Sequence, residues 1–447
     1  MIQVLGALLL ASGLTVRFRQ EPSILLVIGL GLHLFIPSVL VQGQLAVAGL
    51  SLHPGSAFMM LALLVAAWQK RTRLGAFVHD WLELMIALFG LCALGVVHIL
   101  ITGRTTGASF VADQIFVPVC AVVTIGLCLI DDPEKGEWLR RGVLGIAVFQ
   151  GAFANLQMVL GRTILWDAAY QTQDWYTTMV PRFMGTLDHP LALAMVLVSA
   201  VPLTLGVRRW WLRLPMIGIL LSGTFITQSR LGLVVAVAAA GYVLVFGEAG
   251  GRVKVAQWVA AAGFGIIVLM GGLVEGTMDR FVGADDSTDA RVQATEYFFG
   301  ILPDHLWLGQ GILRSFDVAS RGGLGSSLEN SLFMMIIDFG GVTTLLYYGL
   351  LVVLIGIGVW RRSAPGLAVA ASIAVFETLS FSALGVRSSI APYLWVLVGI
   401  TAFAAASGSL PGPGRPPESE RAGTDVGPDR PRPAARELLP LPERNGA

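Results

Sequence analysis

Four arginines, Arg182, Arg230, Arg280 and Arg291, sit in connections between apolar stretches, among carboxylates, prolines and glycine turns. A guanidinium is planar and offers paired N–H donors, so several of them together suit the oxygens of a phosphate. Two of the acidic groups in the same connections stand out. One is Asp188 in Arg182-Phe183-Met184-Gly185-Thr186-Leu187-Asp188-His189-Pro190, and the other is Glu329 in Ser326-Ser327-Leu328-Glu329-Asn330-Ser331. A water-facing carboxylate can accept a proton from an attacking hydroxyl. These residue types could hold a phosphate-bearing group and activate a nucleophile beside it. Each also has a plainer reading. Asp188 could complement the positive end of the helix that Pro190 opens, and Arg182 could snorkel to a membrane surface. Arg230, in the turn Thr227-Gln228-Ser229-Arg230, could pair with a loop carboxylate. Ser326-x-x-Glu329 matches a capping box ahead of an apolar helix.

The elements that must position these residues are membrane helices. Of the 447 residues 55% are hydrophobic and 13% charged, with mean hydropathy +0.73. Soluble domains carry roughly 25% charged residues, so this chain has too little polar surface for a water-soluble globule. Long unbroken apolar runs favour helices over a closed barrel. Thirteen stretches read as spans, at about 2–16, 23–41, 55–68, 82–102, 111–130, 142–160, 190–207, 214–228, 231–247, 255–274, 341–360, 366–384 and 391–408. The expected fold is all-α, a polytopic bundle of about 12–13 transmembrane helices over 1–409, followed by a disordered cytoplasmic tail over 410–447. That tail is rich in proline, glycine, arginine and glutamate and too poor in aliphatics to fold alone.

The basic residues give the bundle its orientation. All three lysines, Lys70, Lys135 and Lys254, follow odd-numbered spans, together with Arg17, Arg19, Arg71, Arg73, Arg140, Arg141, Arg208, Arg209, Arg213, Arg361 and Arg362. The positive-inside rule assigns these connections to the cytoplasm. The even connections then face outward. They include two long ones, 161–189 and 275–340, and long loops between packed spans are usually functional. In the second, Ser287 or Asp286 can cap a helix running to about Phe299, with Arg291, Thr295 and Phe298 on one face. Its aromatic residues suit a lid or a surface-lying helix, and Gly322, Gly323 and Gly325 suggest a mobile hinge.

Glu83, Asp113 and Glu377 fall within spans, where ionisable groups are costly. Glu83 and Asp113 lie near span ends and can reach the interface, whereas Glu377 is deep and suits an internal helix–helix hydrogen bond. The cysteines, Cys92, Cys120 and Cys128, lie in apolar runs and read as small buried hydrophobes. No His-x-x-x-His or Cys-x-x-Cys pair points to a metal, and no basic cluster points to nucleic acid.

Taken together, the outward stretches resemble the O-antigen ligase and polymerase family of bacterial integral membrane glycosyltransferases. The resemblance rests on Arg182-Phe-Met-Gly185-Thr-Leu-Asp188-His189-Pro190, Thr227-Gln-Ser229-Arg230, Arg291 with Leu302-Pro303 and Gly309-Gln-Gly311, and Glu329-Asn330-Ser331-Leu332 with Phe339-Gly340-Gly341. It implies transfer or polymerisation of a glycan from an undecaprenyl-pyrophosphate donor onto a sugar hydroxyl at the outer face of the cytoplasmic membrane, with no cofactor or metal. It assigns Arg182, Arg230 and Arg291 to the pyrophosphate and Glu329 to catalysis, with His189, Asp188, Arg280 and Asn330 in support. Ligases of the family usually carry a histidine before the asparagine of the last motif. Glu329 stands there instead, which leaves ligase and polymerase both open. A solvated carboxylate beside cations is a weak base, so the role requires the lid to enclose it. The alternative is a transporter or flippase for a lipid-linked or anionic saccharide, which should place charged or broken-helix sites near the bilayer midplane.

Overall fold

The computed structural model describes residues 13–14, 17–44, 51–102, 105–173, 176, 182–247, 285–324, 328–361, 363 and 366–406. Arg280, the stretches read as spans at 255–274 and over most of 2–16, and the tail lie outside the described residues. The described residues are helical, with no strand among them. In order, the helices are α1 Pro22–Phe35, α2 Ser38–Gln44, α3 Pro54–Gln69, α4 Arg71–Asp80, α5 Leu82–Thr102, α6 Thr105–Val111, α7 Val117–Leu129, α8 Glu134–Leu160, α9 Asp167–Tyr170, α10 Pro190–Ala200, α11 Trp210–Ile226, α12 Arg230–Phe246, α13 Asp285–Ile301, α14 Ser315–Arg321, α15 Ser331–Trp360, α16 Leu367–Thr378 and α17 Ile390–Ala406. Four helical stretches are long and apolar enough to cross a membrane: Leu82–Ile101, Gly107–Leu129, Glu134–Leu160 and Ser331–Trp360. Seven further apolar helices are shorter.

Local chemistry fixes the helix starts. Pro22, Pro54 and Pro190 occupy first turns, where a missing N–H costs nothing. His53 and His189 each cap the helix after them, Nδ1 accepting from Gly55 N (3.0 Å) and Leu191 N (3.1 Å). Helices α7, α10 and α17 form the centre, with nearly every residue buried. An all-round apolar helix is stable only when covered on all sides. Helices α1 and α3 approach so closely that a Cβ on Gly55 would lie 2.4 Å from Gly29 O. Around this centre, α5, α12 and α15 turn apolar side chains outward, among them Leu100, Val237 and Leu345.

The two ends of the bundle differ in chemistry. At one end Lys70 and Arg73 pair with Asp131, and Lys135 with Glu21 at 3.1 Å. There the buried Arg140 bonds Glu137 and the carbonyl of Leu203, and Arg213 bonds the carbonyls of Leu205 and Val207. The connections expected to face outward meet at the other end, where Asp188 bonds Ser38 and Ser389 and Arg387 bonds Asp113 and Ser51.

The large connection 275–340 is more ordered than a loop. From Asp285 it builds α13 and α14 and then the first turns of α15, which runs on to Trp360. The expected span 341–360 is therefore the second part of a longer helix. Phe298, Val318, Met334 and Ile337 form a small core of their own, with Phe298 stacked on Phe333 at 4.0 Å. This packing makes the start of α15 part of the lid. Helix α15 breaks at Gly340 (φ +83°), where the 306–311 turn crosses it: Gly341 N donates to Leu306 O, and Gly311 N to Asp338 O. A Cβ on Gly309 would sit 2.3 Å from Asp338 O, so the break needs glycine at both positions. Of the three glycines read as a hinge, Gly325 lies outside the described residues and Gly322 and Gly323 are placed. They close α14, and Gly322 lies against the Tyr297 ring.

Candidate functional site

The Arg182–His189 segment is a buried plug. Two glutamines on α8 hold it: Gln157 exchanges hydrogen bonds with Gly185 N and O (3.0 and 2.9 Å), and Gln150 accepts from Thr186 N at 3.1 Å. Gly185 has φ +63°, and a Cβ there would meet Gln150 Oε1 at 2.6 Å. The plug thus fixes the residues at its two ends. At one end, Arg182 Nε donates to Thr227 O at 3.0 Å. Thr227 opens the turn into α12, where Gln228 has φ +53° and Ser229 Oγ caps Gly232 N at 3.1 Å. Arg230 is the first residue of α12. Arg182 and Arg230 therefore flank one turn at a helix amino end, where the helix dipole disfavours cations by about 0.3–1 kcal/mol each. An anion between them would reverse that cost.

At the other end of the plug, Asp188 does not complement the helix behind it. His189 takes the cap, and Asp188 accepts from Ser38 N and Oγ on one side and Ser389 N and Oγ on the other. Burial raises the Asp188 pKa, and these donors oppose the rise. Burial, with Arg182 beside it, pushes His189 down to about 3, so a neutral imidazole is available as cap acceptor.

Arg291 meets Glu329 across the lid, Nε to Oε2 at 3.0 Å. The capping-box reading of Glu329 does not hold. Asn330 caps α15, its Oδ1 accepting from Leu332 N (2.9 Å), and Glu329 precedes the cap at φ +50°. Nor does the lid enclose Glu329, whose side chain is 39% exposed. Two of the proposed phosphate ligands thus share one turn, and the third shares an ion pair with the candidate base. The loop 379–389 contacts the start of α15 and the far end of the plug: Ser331 binds Phe381 O and Leu384 N, while Ser389 binds Asp188.

That loop carries the residue sequence reasoning missed, Arg387. Its Nε and Nη2 bind Asp113 (2.7 and 2.5 Å), and its Nη1 binds Ser51 Oγ (2.6 Å). Ser56 Oγ donates to Asp113 at 2.5 Å, and His33 Nε2 lies 3.0 Å from Ser56 Oγ with its ring stacked on His53. Asp113 is 2% exposed, so it does not reach the interface as its place near a span end suggested. It sits instead in a π-helical turn, Ala112–Phe116, a local distortion common at functional sites. The signal was present in the sequence, as an acid inside a span and an arginine in an outward connection. Glu377 departs from expectation as well, since its buried Oε1 has no hydrogen-bond partner among the described residues.

Compared with known proteins, the chain matches no family model and no curated sequence.

Proposed function

We propose that this chain is a polytopic membrane glycosyltransferase of the O-antigen ligase or polymerase type. It lies in a bacterial cytoplasmic membrane with its reactive end outside. The observation that carries the reading is the Arg182–Thr227 bond, which holds two arginines at the amino end of α12. The four long apolar stretches and the charge-sorted ends support the membrane assignment.

The donor is an undecaprenyl-pyrophosphate-linked glycan and the acceptor a sugar hydroxyl. Arg182 and Arg230 hold the pyrophosphate, and Arg291 joins them as the donor displaces Glu329 from it. The acceptor oxygen then bonds the anomeric carbon while the bond from that carbon to the pyrophosphate breaks. The departing pyrophosphate keeps the electron pair, and the guanidinium groups stabilise its growing charge. Glu329, released from Arg291 and covered from water by the bound donor and acceptor rather than by the lid, takes the acceptor proton. The polyprenyl tail lies along the apolar helices and contributes binding energy remote from the chemistry.

The break at Gly340 favours a second reading, a flippase for the same lipid-linked saccharide, because transporters build sites at broken helices. One experiment separates the two. The purified protein in vesicles is given an undecaprenyl-pyrophosphate glycan and a sugar acceptor. Formation of a new glycosidic bond supports the transferase. Movement of intact donor across the bilayer without bond formation refutes it in favour of the flippase.

A further inference from the structure

Away from the arginine turn, a cavity of about 350 Å³ lies where the end of α5 meets the 308–314 turn of the lid. Its walls are of two kinds. Ile101 and Leu308 form an apolar mouth, and both are about two-thirds exposed (65% and 64%). Gln310 and Arg314 form a polar wall, and His98 lies behind it with Nε2 3.4 Å from Thr343 Oγ1. Arg314 pairs with Asp317 through Nη1 at 2.6 Å, and Arg321 donates to Gln310 Oε1 at 3.0 Å. Among the described residues exposed at this rim, two guanidinium groups stand against the Asp317 carboxylate, while Asp338 is buried behind the turn and bonded to Ser315, so the exposed rim is net positive.

A cationic rim above an apolar mouth fits an amphiphile that carries a phosphate. We infer that this cavity binds the phosphate head of an anionic membrane lipid, whose chains lie on the outer face of α5. The volume decides how the lipid is shared. It is at the low end for small-molecule sites, which run about 300–1,000 Å³, so it takes a headgroup and excludes acyl chains. Beside the mouth, Leu100, Ile101 and Val97 of α5 and Trp307 and Leu308 of the lid present continuous apolar surface where chains can run. The walls are built in place: Gly309 packs on the Asp338 backbone, and the buried Ile312 packs on Gly107. None of Arg182, Arg230 or Arg291 lines this cavity, so the inference stands or falls independently of the transferase reading.

The full-length protein is reconstituted in phosphatidylcholine vesicles containing phosphatidylglycerol and extracted into mild detergent. Retained lipid is then counted by native mass spectrometry. Wild type keeps phosphatidylglycerol in preference to phosphatidylcholine. The double variant R314Q/R321Q keeps it about tenfold less well or worse, as expected for loss of hydrogen bonds to charged groups. Its melting temperature stays unchanged because both side chains are partly or fully exposed. R208Q, at the opposite end of the bundle, retains lipid as wild type does. Equal retention by wild type and R314Q/R321Q overturns the inference. So does equal retention of the two lipids, or displacement of the lipid by soluble glycerol phosphate at matched concentration, which would mark a phosphate site indifferent to chains.

Discussion

Replacing Arg387 with methionine removes every partner the guanidinium gives Asp113 while leaving that carboxylate buried. Asp113 then keeps Ser56 Oγ alone among the side chains that bond it, and the Ser51 carbonyl also loses its donor. Stripping one member from a buried ion pair costs about 3–5 kcal/mol, because the remaining charge stays desolvated. At about 2 °C per kcal/mol, the low end for larger domains, the melting temperature falls by roughly 6–10 °C. The double variant D113L/R387M should be more stable than R387M alone, since neither buried charge remains. R387K should fall between wild type and R387M, keeping the charge and losing the fork that reaches Asp113 and Ser51 together. Fluorescence-detected unfolding of wild type, D113L, R387M and D113L/R387M in detergent gives the cycle, with R387K measured alongside. The reasoning fails if R387M melts with wild type, or if the Asp113 and Arg387 substitutions add without coupling. Because loop 379–389 reaches both Asp188 and Ser331, R387M should also impair transfer at temperatures where the protein remains folded.

R230K should lower transfer about 10–100-fold with normal membrane expression, as expected for loss of a charged hydrogen bond worth about 1.5–3 kcal/mol. Wild-type turnover in R230K would count against the arginine turn as a phosphate clamp. E329Q should abolish transfer and leave the melting temperature within a degree or two, since an exposed ion pair contributes about 0–1 kcal/mol. Retained activity would remove Glu329 as the base. Acid should destabilise the fold through His53, which burial pushes down to about 4. The unfolded chain binds a proton below about 6.5 that the native cap refuses, so stability is lost as pH falls from about 6.5 to 4, by about 3 kcal/mol in all. H53N keeps a cap acceptor without titrating, and its melting temperature should depend less on pH over that window. An identical dependence in H53N and wild type would refute the assignment.

The bundle was legible because lipid and protein cores ask the same thing of a helix. Most spans read from apolar run length match described helices within a few residues, and prolines 22, 54 and 190 mark three starts. The lid was half legible. The helix Asp285–Ile301 follows from its 3.6-residue periodicity, although it begins ahead of Asp286 and Ser287, the residues read as its caps, and the run of α15 through Gly340 does not follow. Two adjacent glycines read as an end to a helix, and only the 306–311 turn seated on the break shows that they accommodate a kink. The pairing of Arg387 with Asp113 was not legible, for a different reason. The two lie 274 residues apart in sequence, and no periodicity links an outward arginine to an acid one span-end distant. Asp188 misled in the same way, because a carboxylate before Pro190 looks like a local cap while its true partners come from α2 and the start of α17.

The charged groups at this end of the bundle divide by what could displace their partners. Arg387 and Asp113 are buried and multiply bonded, so a ligand arriving from water would have to desolvate and outcompete an entire network. They hold loop 379–389, and with it the spacing between the plug and the lid. Arg291 and Glu329 are about half and two-fifths exposed and share a single bond. Such a pair contributes about 0–1 kcal/mol, and a diphosphate offers Arg291 more charge and more acceptor oxygens than one carboxylate does. On the proposed transferase reading, exchange of Glu329 for the diphosphate is therefore favoured, and it releases the carboxylate from Arg291 only once the leaving group is in place. On that reading the base stays paired with Arg291 until the donor binds, a restraint the ion pair supplies.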